Sequence, residues 1–137
     1  MKPTRFSAAV YAFAGLAGLL AVGLEAYAAH GLPHGTPEGD HAVALFKQAT
    51  QFQMDHALAL IIIRLVADRL GAGTAQKILC AATGFMAAGV VLFPGALYAA
   101  AFDKPHFFAP WGGTAAMVGW LLFAVGALWS MVSAERG

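Results

Sequence analysis

From Phe6 to Leu24 the chain runs nineteen residues without a charged side chain. About 20 predominantly apolar residues carry a helix across the hydrocarbon of a bilayer, so this run constrains everything after it. Three more runs follow, about Gln51 to Leu70, Ala75 to Phe102, and Phe107 to Val132. Of 137 residues, 60% are hydrophobic and 11% charged, whereas a soluble domain is nearer half apolar and a quarter charged. A single small core cannot withdraw so much apolar surface from water. The expectation is an all-α integral membrane protein, one domain over 1–137, built as a four-helix bundle with spans 6–29, 51–70, 75–102 and 107–132.

The second span is the least apolar. Its approach, HAVALFKQATQFQMDHALAL, is amphipathic and predicts one helix from near Asp40, with residues 40–50 entering the membrane obliquely. Thr36 to Asp40 supply turn and N-cap residues just before it. Gly71-Ala72-Gly73-Thr74 separates the second helix from the third, and Asp103-Lys104-Pro105 the third from the fourth. Such short connections make neighbours antiparallel. Lys2, Arg5, Arg64, Arg69, Lys77 and Arg136 fall on one side of this arrangement, and Lys47 and Lys104 on the other. Positive residues stay on the cytoplasmic side, so both termini are expected there, in a multi-pass membrane protein.

Ala26-Tyr27-Ala28 also reads as a small-x-small cleavage site behind Lys2 and Arg5. The nineteen-residue run before Glu25 exceeds the usual 7–15 residues of an export signal's apolar region, so the first helix is expected to be retained. The formal charge of +1 leaves no footprint for nucleic acid. The only cysteine, Cys80, rules out an intramolecular disulfide or a cysteine zinc site and reads as a small packing residue.

Membrane helices associate through close contact at small residues. Gly84/Ala88, Gly112/Ala116 and Ala115/Gly119 have the four-residue spacing that permits it, and Gly126 extends the fourth helix's small face. Pro94, inside the third helix, removes one backbone hydrogen bond and predicts a bend near Tyr98.

All five histidines, His30, His34, His41, His56 and His106, fall on the predicted outer side, with Glu25, Glu38, Asp40, Asp55 and Asp103. Carboxylates at membrane depth are costly and ordinarily face protein or water. Glu25 and Asp55 are therefore expected to share an outer-leaflet polar site with His30, Gln53, His56 and Tyr98. His41, Gln48 and Asp55 repeat every seven residues and make one polar stripe. Imidazole and carboxylate together serve either proton relay or metal binding, and His30, His34, His41 and His56 are the candidate ligands. His30 and His34 have the HxxxH interval, but Gly31 and Pro33 between them predict a loop, so no HxH, HxxxH or HExxH spacing sets two imidazoles on one helical face. Structural hydrogen bonding is the simpler reading of the cluster.

Ala29-His30-Gly31-Leu32, then Phe52-Gln53 and His56-Ala57-Leu58-Ala59-Leu60, resemble the small bacterial membrane proteins of domain of unknown function family 423, relatives of transmembrane protein 256. Phe93-Pro94-Gly95-Ala96-Leu97-Tyr98 resembles that family's third-helix segment, and Pro110-Trp111-Gly112-Gly113 followed by Gly119-Trp120 its fourth. The chain departs from the family pattern at Glu25, usually small, and Asp55, often aromatic. Pro94 and Ala96 stand where the family has serines. The resemblance implies an inner-membrane four-helix protein and brings no activity with it.

The function expected from these features is noncatalytic: an accessory or structural membrane protein in contact with lipid, with a membrane-protein partner or a second copy of itself. A proton or ion relay through Glu25, His30, Asp55 and His56 is the alternative from another class, and a metal-binding membrane protein a third. The sequence names no cofactor, and no nucleophile–base motif marks an enzyme.

Overall fold

The computed structural model describes residues 4–135. Four helices follow one another: α1 Arg5–His30, α2 Pro37–Arg69, α3 Thr74–Ala101 and α4 Ala109–Glu135. Each boundary has a local cause. Thr4 caps α1, its hydroxyl accepting from Ser7 N at 3.1 Å. Thr36 caps α2 by accepting from Gly39 N at 3.1 Å, and Pro37 opens that helix, where its missing N–H costs nothing. The amphipathic lead-in is thus part of one 33-residue helix that begins three residues before the expected Asp40.

Helix α3 ends in a Schellman motif. Lys104 N donates to Ala99 O at 2.9 Å and Asp103 N to Ala100 O at 3.1 Å. Asp103 takes the left-handed position at φ 53°, a place usually given to glycine but tolerated by aspartate. Helix α3 is continuous through Pro94, which is buried.

Each helix packs mainly on its neighbours in sequence: α1 on α2, α2 on α3, α3 on α4. Helix α2 holds the interior. Its Ala59, Leu60 and Ile63 meet Val10 and Ala14 of α1 and Ala82 and Met86 of α3 in one apolar cluster. Toward the other end, Ala28, Leu32, Ala42, Val43 and Phe46 form a second cluster against Tyr98. Large apolar side chains such as Leu19, Met117, Leu121 and Leu128 point outward, as expected where lipid is the solvent.

The α3–α4 seam is made by small residues. A Cβ on Gly112 would lie 2.3 Å from Phe93 N, and one on Gly119 3.1 Å from Met86 N. A Cβ on Gly89 would lie 3.0 Å from Ala116 Cβ. The descending α3 numbers against ascending α4 numbers show the two helices antiparallel. One expected small pair takes no part: Gly84 is exposed, and a Cβ there would meet nothing within 4 Å. The seam passes instead through Gly89, on a different face of α3.

Candidate functional site: polar groups at both ends of the bundle

Successive residues of a helix turn by about 100°, so Gln53, Asp55 and His56 leave α2 in different directions. The structure accordingly divides the six expected site residues among four surroundings: Gln53 with Tyr98, Glu25 with Asp55, and His56 and His30 each apart. Gln53 points inward and is 6% exposed. Its Nε2 donates to the Ala17 carbonyl of α1 at 2.7 Å, and its Oε1 accepts from Tyr98 of α3 at 2.8 Å. Phe46 packs beside Tyr98, ring centroids 4.9 Å apart.

His56 turns toward α4. Its Nδ1 lies 2.9 Å from the Phe52 carbonyl, and its Nε2 accepts from Trp120 Nε1 at 3.3 Å. These two bonds assign the neutral tautomer with the proton on Nδ1. The imidazole stacks on Phe52, centroids 3.7 Å apart and planes 14° from parallel. His30, the last residue of α1, is exposed. The polar network expected to join His30 and His56 to Gln53 or Tyr98 therefore closes without either histidine, through the α1 backbone.

Glu25 and Asp55 are both exposed and line one groove of about 470 Å³ between α1 and α2, with Lys47, Thr50 and Gln51. Thr50, 3% exposed, donates its hydroxyl to the Glu25 carboxylate. The groove therefore carries two carboxylates and an ammonium, with one carboxylate fixed by a buried hydroxyl.

The remaining histidines stand apart. His34 reaches back to the Ala29 carbonyl at 3.1 Å, His106 lies 3.0 Å from the Lys104 carbonyl, and His41 is exposed near the start of α2. Among the described residues, no three His, Cys, Asp or Glu side chains gather in one place.

The densest polar network lies at the opposite end of the bundle, where Arg64 was expected only as one of the cytoplasmic-side cations. Arg64, 3% exposed, donates to Asp68 Oδ1 from Nε at 2.9 Å and Nη2 at 2.6 Å. Ser7 Oγ donates to the same oxygen at 2.7 Å, and Tyr11 donates to Oδ2 at 2.7 Å. Arg64 Nη1 reaches Cys80 Sγ of α3 at 3.3 Å, and the guanidinium carbon sits 5.3 Å from the Phe6 ring centroid. The cysteine read as mere packing is thus a contact of a buried cation. A sequence signal existed: Ser7 and Tyr11 are four apart on α1, Arg64 and Asp68 four apart on α2, and such pairs share a helical face.

Three of the four helices, α1, α3 and α4, are long and apolar enough to cross a membrane. Together with the outward-facing apolar side chains, this defines a small helical membrane protein. The chain belongs to the family described as protein of unknown function DUF423, which matches residues 24–113. It is 36% identical to the UPF0382 membrane protein YwdK of Bacillus subtilis (strain 168), over 80% of this chain and 88% of that protein. A UPF0382 membrane protein of Haemophilus influenzae is 32% identical over 82% and 87% of the two chains. The UPF0382 membrane protein SAB0533 of Staphylococcus aureus is 31% identical over 80% and 87%. No solved structure matches the chain.

Proposed function

We propose that this is a noncatalytic accessory or structural protein of the bacterial inner membrane, crossing four times with both termini cytoplasmic and acting through lateral contact with a protein partner or a second copy. The observation that carries the reading is a division of labour among its polar groups. Those buried in the bundle, Gln53, Arg64 and Ser7 among them, bond to one another or to backbone. Those on the outer half of α2, His41, Lys47, Gln48, Gln51 and Asp55, face outward, joined by Glu25 across the groove. Polar side chains at membrane depth ordinarily face protein or water, so this strip favours a partner over lipid.

Helix α2 crosses in this reading although it is the least apolar of the four, because α1 and α3 flank it and take up its buried polar groups. The test is purification from native membranes in gentle detergent, with mass spectrometry of what accompanies the protein. A stoichiometric membrane partner, or a homo-oligomer, that is lost on Gln51→Leu with Asp55→Leu supports the reading. A lone chain that moves protons in liposomes, and stops doing so on Glu25→Gln or Asp55→Asn, overturns it in favour of the relay. That second reading draws on Glu25 and Asp55 lining one groove, since carboxylates at membrane depth are costly and commonly mark a proton or ion path.

A further inference from the structure

At the Arg64 end, the start of α1, the end of α2, Gly71, Ala72, and Gln76 of α3 line a cleft of about 800 Å³. We propose that this cleft seats the phosphate headgroup of an anionic phospholipid from the adjoining leaflet.

The charge balance points to an anion. The charged groups lining the cleft are the guanidiniums of Arg64 and Arg69 and the carboxylate of Asp68. Asp68 accepts from Ser7, Tyr11 and twice from Arg64. Its charge is consumed inside the protein, and among the described residues lining the cleft Arg69, exposed, is left as a cation without a carboxylate partner.

Arg64 supplies the second observation. A guanidinium carries five N–H groups, and three are used, on Asp68 from Nε and Nη2 and on Cys80 from Nη1. One N–H on each Nη has no protein partner among the described residues, on a side chain only 4% exposed that lines the cleft. Paired N–H groups on a planar fork suit two oxygens of one phosphate. Gln76 adds a neutral donor to the same lining, and Thr4 a hydroxyl.

The surroundings choose a lipid over a free anion. Leu65 lines the cleft and is 45% exposed, and Phe6, beside the guanidinium, is 54% exposed. Both offer apolar surface for acyl chains below the headgroup. Arg64 lies five residues inside the end of α2, about 7.5 Å along its axis, a depth that a headgroup phosphate and its glycerol span from the interface.

The experiment is native mass spectrometry of the full-length protein, delipidated in detergent and titrated separately with phosphatidylglycerol, phosphatidylcholine and inorganic phosphate. Phosphatidylglycerol should bind at least about fivefold more tightly than phosphatidylcholine, since one basic side chain near a membrane surface contributes about that factor. Arg69→Gln, at an exposed position, should remove about that preference, while Lys104→Gln at the other end of the bundle leaves it intact. Equal affinity for the two lipids overturns the proposal, as does an equal loss in the two variants. Displacement of phosphatidylglycerol by millimolar inorganic phosphate also overturns it, making the cleft a site for free phosphate.

Discussion

The Tyr98 hydroxyl and the Gln53 side-chain carbonyl meet at 2.8 Å across 45 residues of sequence, and the same glutamine holds the Ala17 carbonyl at 2.7 Å. One buried amide thereby ties α1, α2 and α3 together at mid-bundle. Tyr98→Phe removes a single hydroxyl and strands the Gln53 oxygen. Interhelical hydrogen bonds in membrane proteins contribute about 0.6 kcal/mol on average and up to about 1.7, and Tyr98→Phe should cost an amount near the upper figure. Unfolding in mixed detergent micelles, with Gln53→Leu as the second arm of a double-mutant cycle, measures the coupling. A coupling energy of zero would show the contact to be incidental.

Glycines on opposite faces of α3 and α4 should respond oppositely to alanine. Gly112→Ala drives a methyl into the Phe93 backbone at 2.3 Å, forcing α3 and α4 apart, and should cost roughly 1–3 kcal/mol, the usual range for overpacking. Gly84→Ala meets nothing and should gain about 0.5–1 kcal/mol from helix propensity alone. Thermal unfolding of the two variants side by side reads the contrast.

Breaking one half of the Arg64–Asp68 pair should be far costlier than replacing both. A buried ion left unpaired costs about 3–5 kcal/mol, and Asp68→Ala leaves Arg64 in that condition while also freeing Ser7 and Tyr11. The 22% exposure of the Asp68 side chain places the expected loss toward the lower figure. Arg64→Met combined with Asp68→Leu should recover a substantial part of it. If the double variant is as unstable as the single one, the network holds the helices by more than charge pairing.

Glu25→Gln and Asp55→Asn, singly and together, test whether the α1–α2 groove acts as one site. Nonadditive effects on stability or cation binding are the expected outcome for interacting groups. Thr50→Val should depend on Glu25 as well, because its hydroxyl is the donor to that carboxylate. Strict additivity across all three positions would leave two unrelated surface acids.

Orientation is read directly by reporter fusions after Arg136 and within Pro33–Asp40, which should localise to opposite sides of the membrane, the C-terminal one to the cytoplasm. A periplasmic C-terminus would refute four crossings with both ends inside.

The helices were legible because their causes are local. Apolar runs, a Thr36 cap, a Pro37 start and the break at Asp103-Lys104-Pro105 lie within a few residues of what they determine. Gly31 of the family-like segment is explained locally too, and Leu32 beside it by packing on α2. A Cβ on Gly31 would press to 2.4 Å on the Tyr27 ring, and Leu32 is 7% exposed in the second apolar cluster. Partnership between helices was not legible in the same way. Grouping polar residues by membrane side puts Gln53, His56 and Tyr98 together, yet direction around the helix axis decides contact: Gln53 meets Tyr98 and His56 meets Trp120. The network at the other end escaped because the positive-inside rule counts Arg64 as an orientation signal and is silent about what its side chain touches. Gly84 was misplaced for a related reason: a four-residue interval defines a stripe without saying which face of α3 meets α4.

Packing of each helix mainly on its neighbours in sequence bears on how the chain is made. A ribosome delivers helices in order, and here none must wait for a distant later segment before finding its neighbour. When α2 emerges with Arg64 and Asp68, the hydroxyls of Ser7 and Tyr11 are already in the bilayer on α1, ready to receive the carboxylate. Membrane insertion of α2, scored by glycosylation mapping in nascent chains stopped before α3, should therefore weaken on Ser7→Ala with Tyr11→Phe. The least apolar helix is the second to be made, and the hydroxyls that stabilise its carboxylate come with the first.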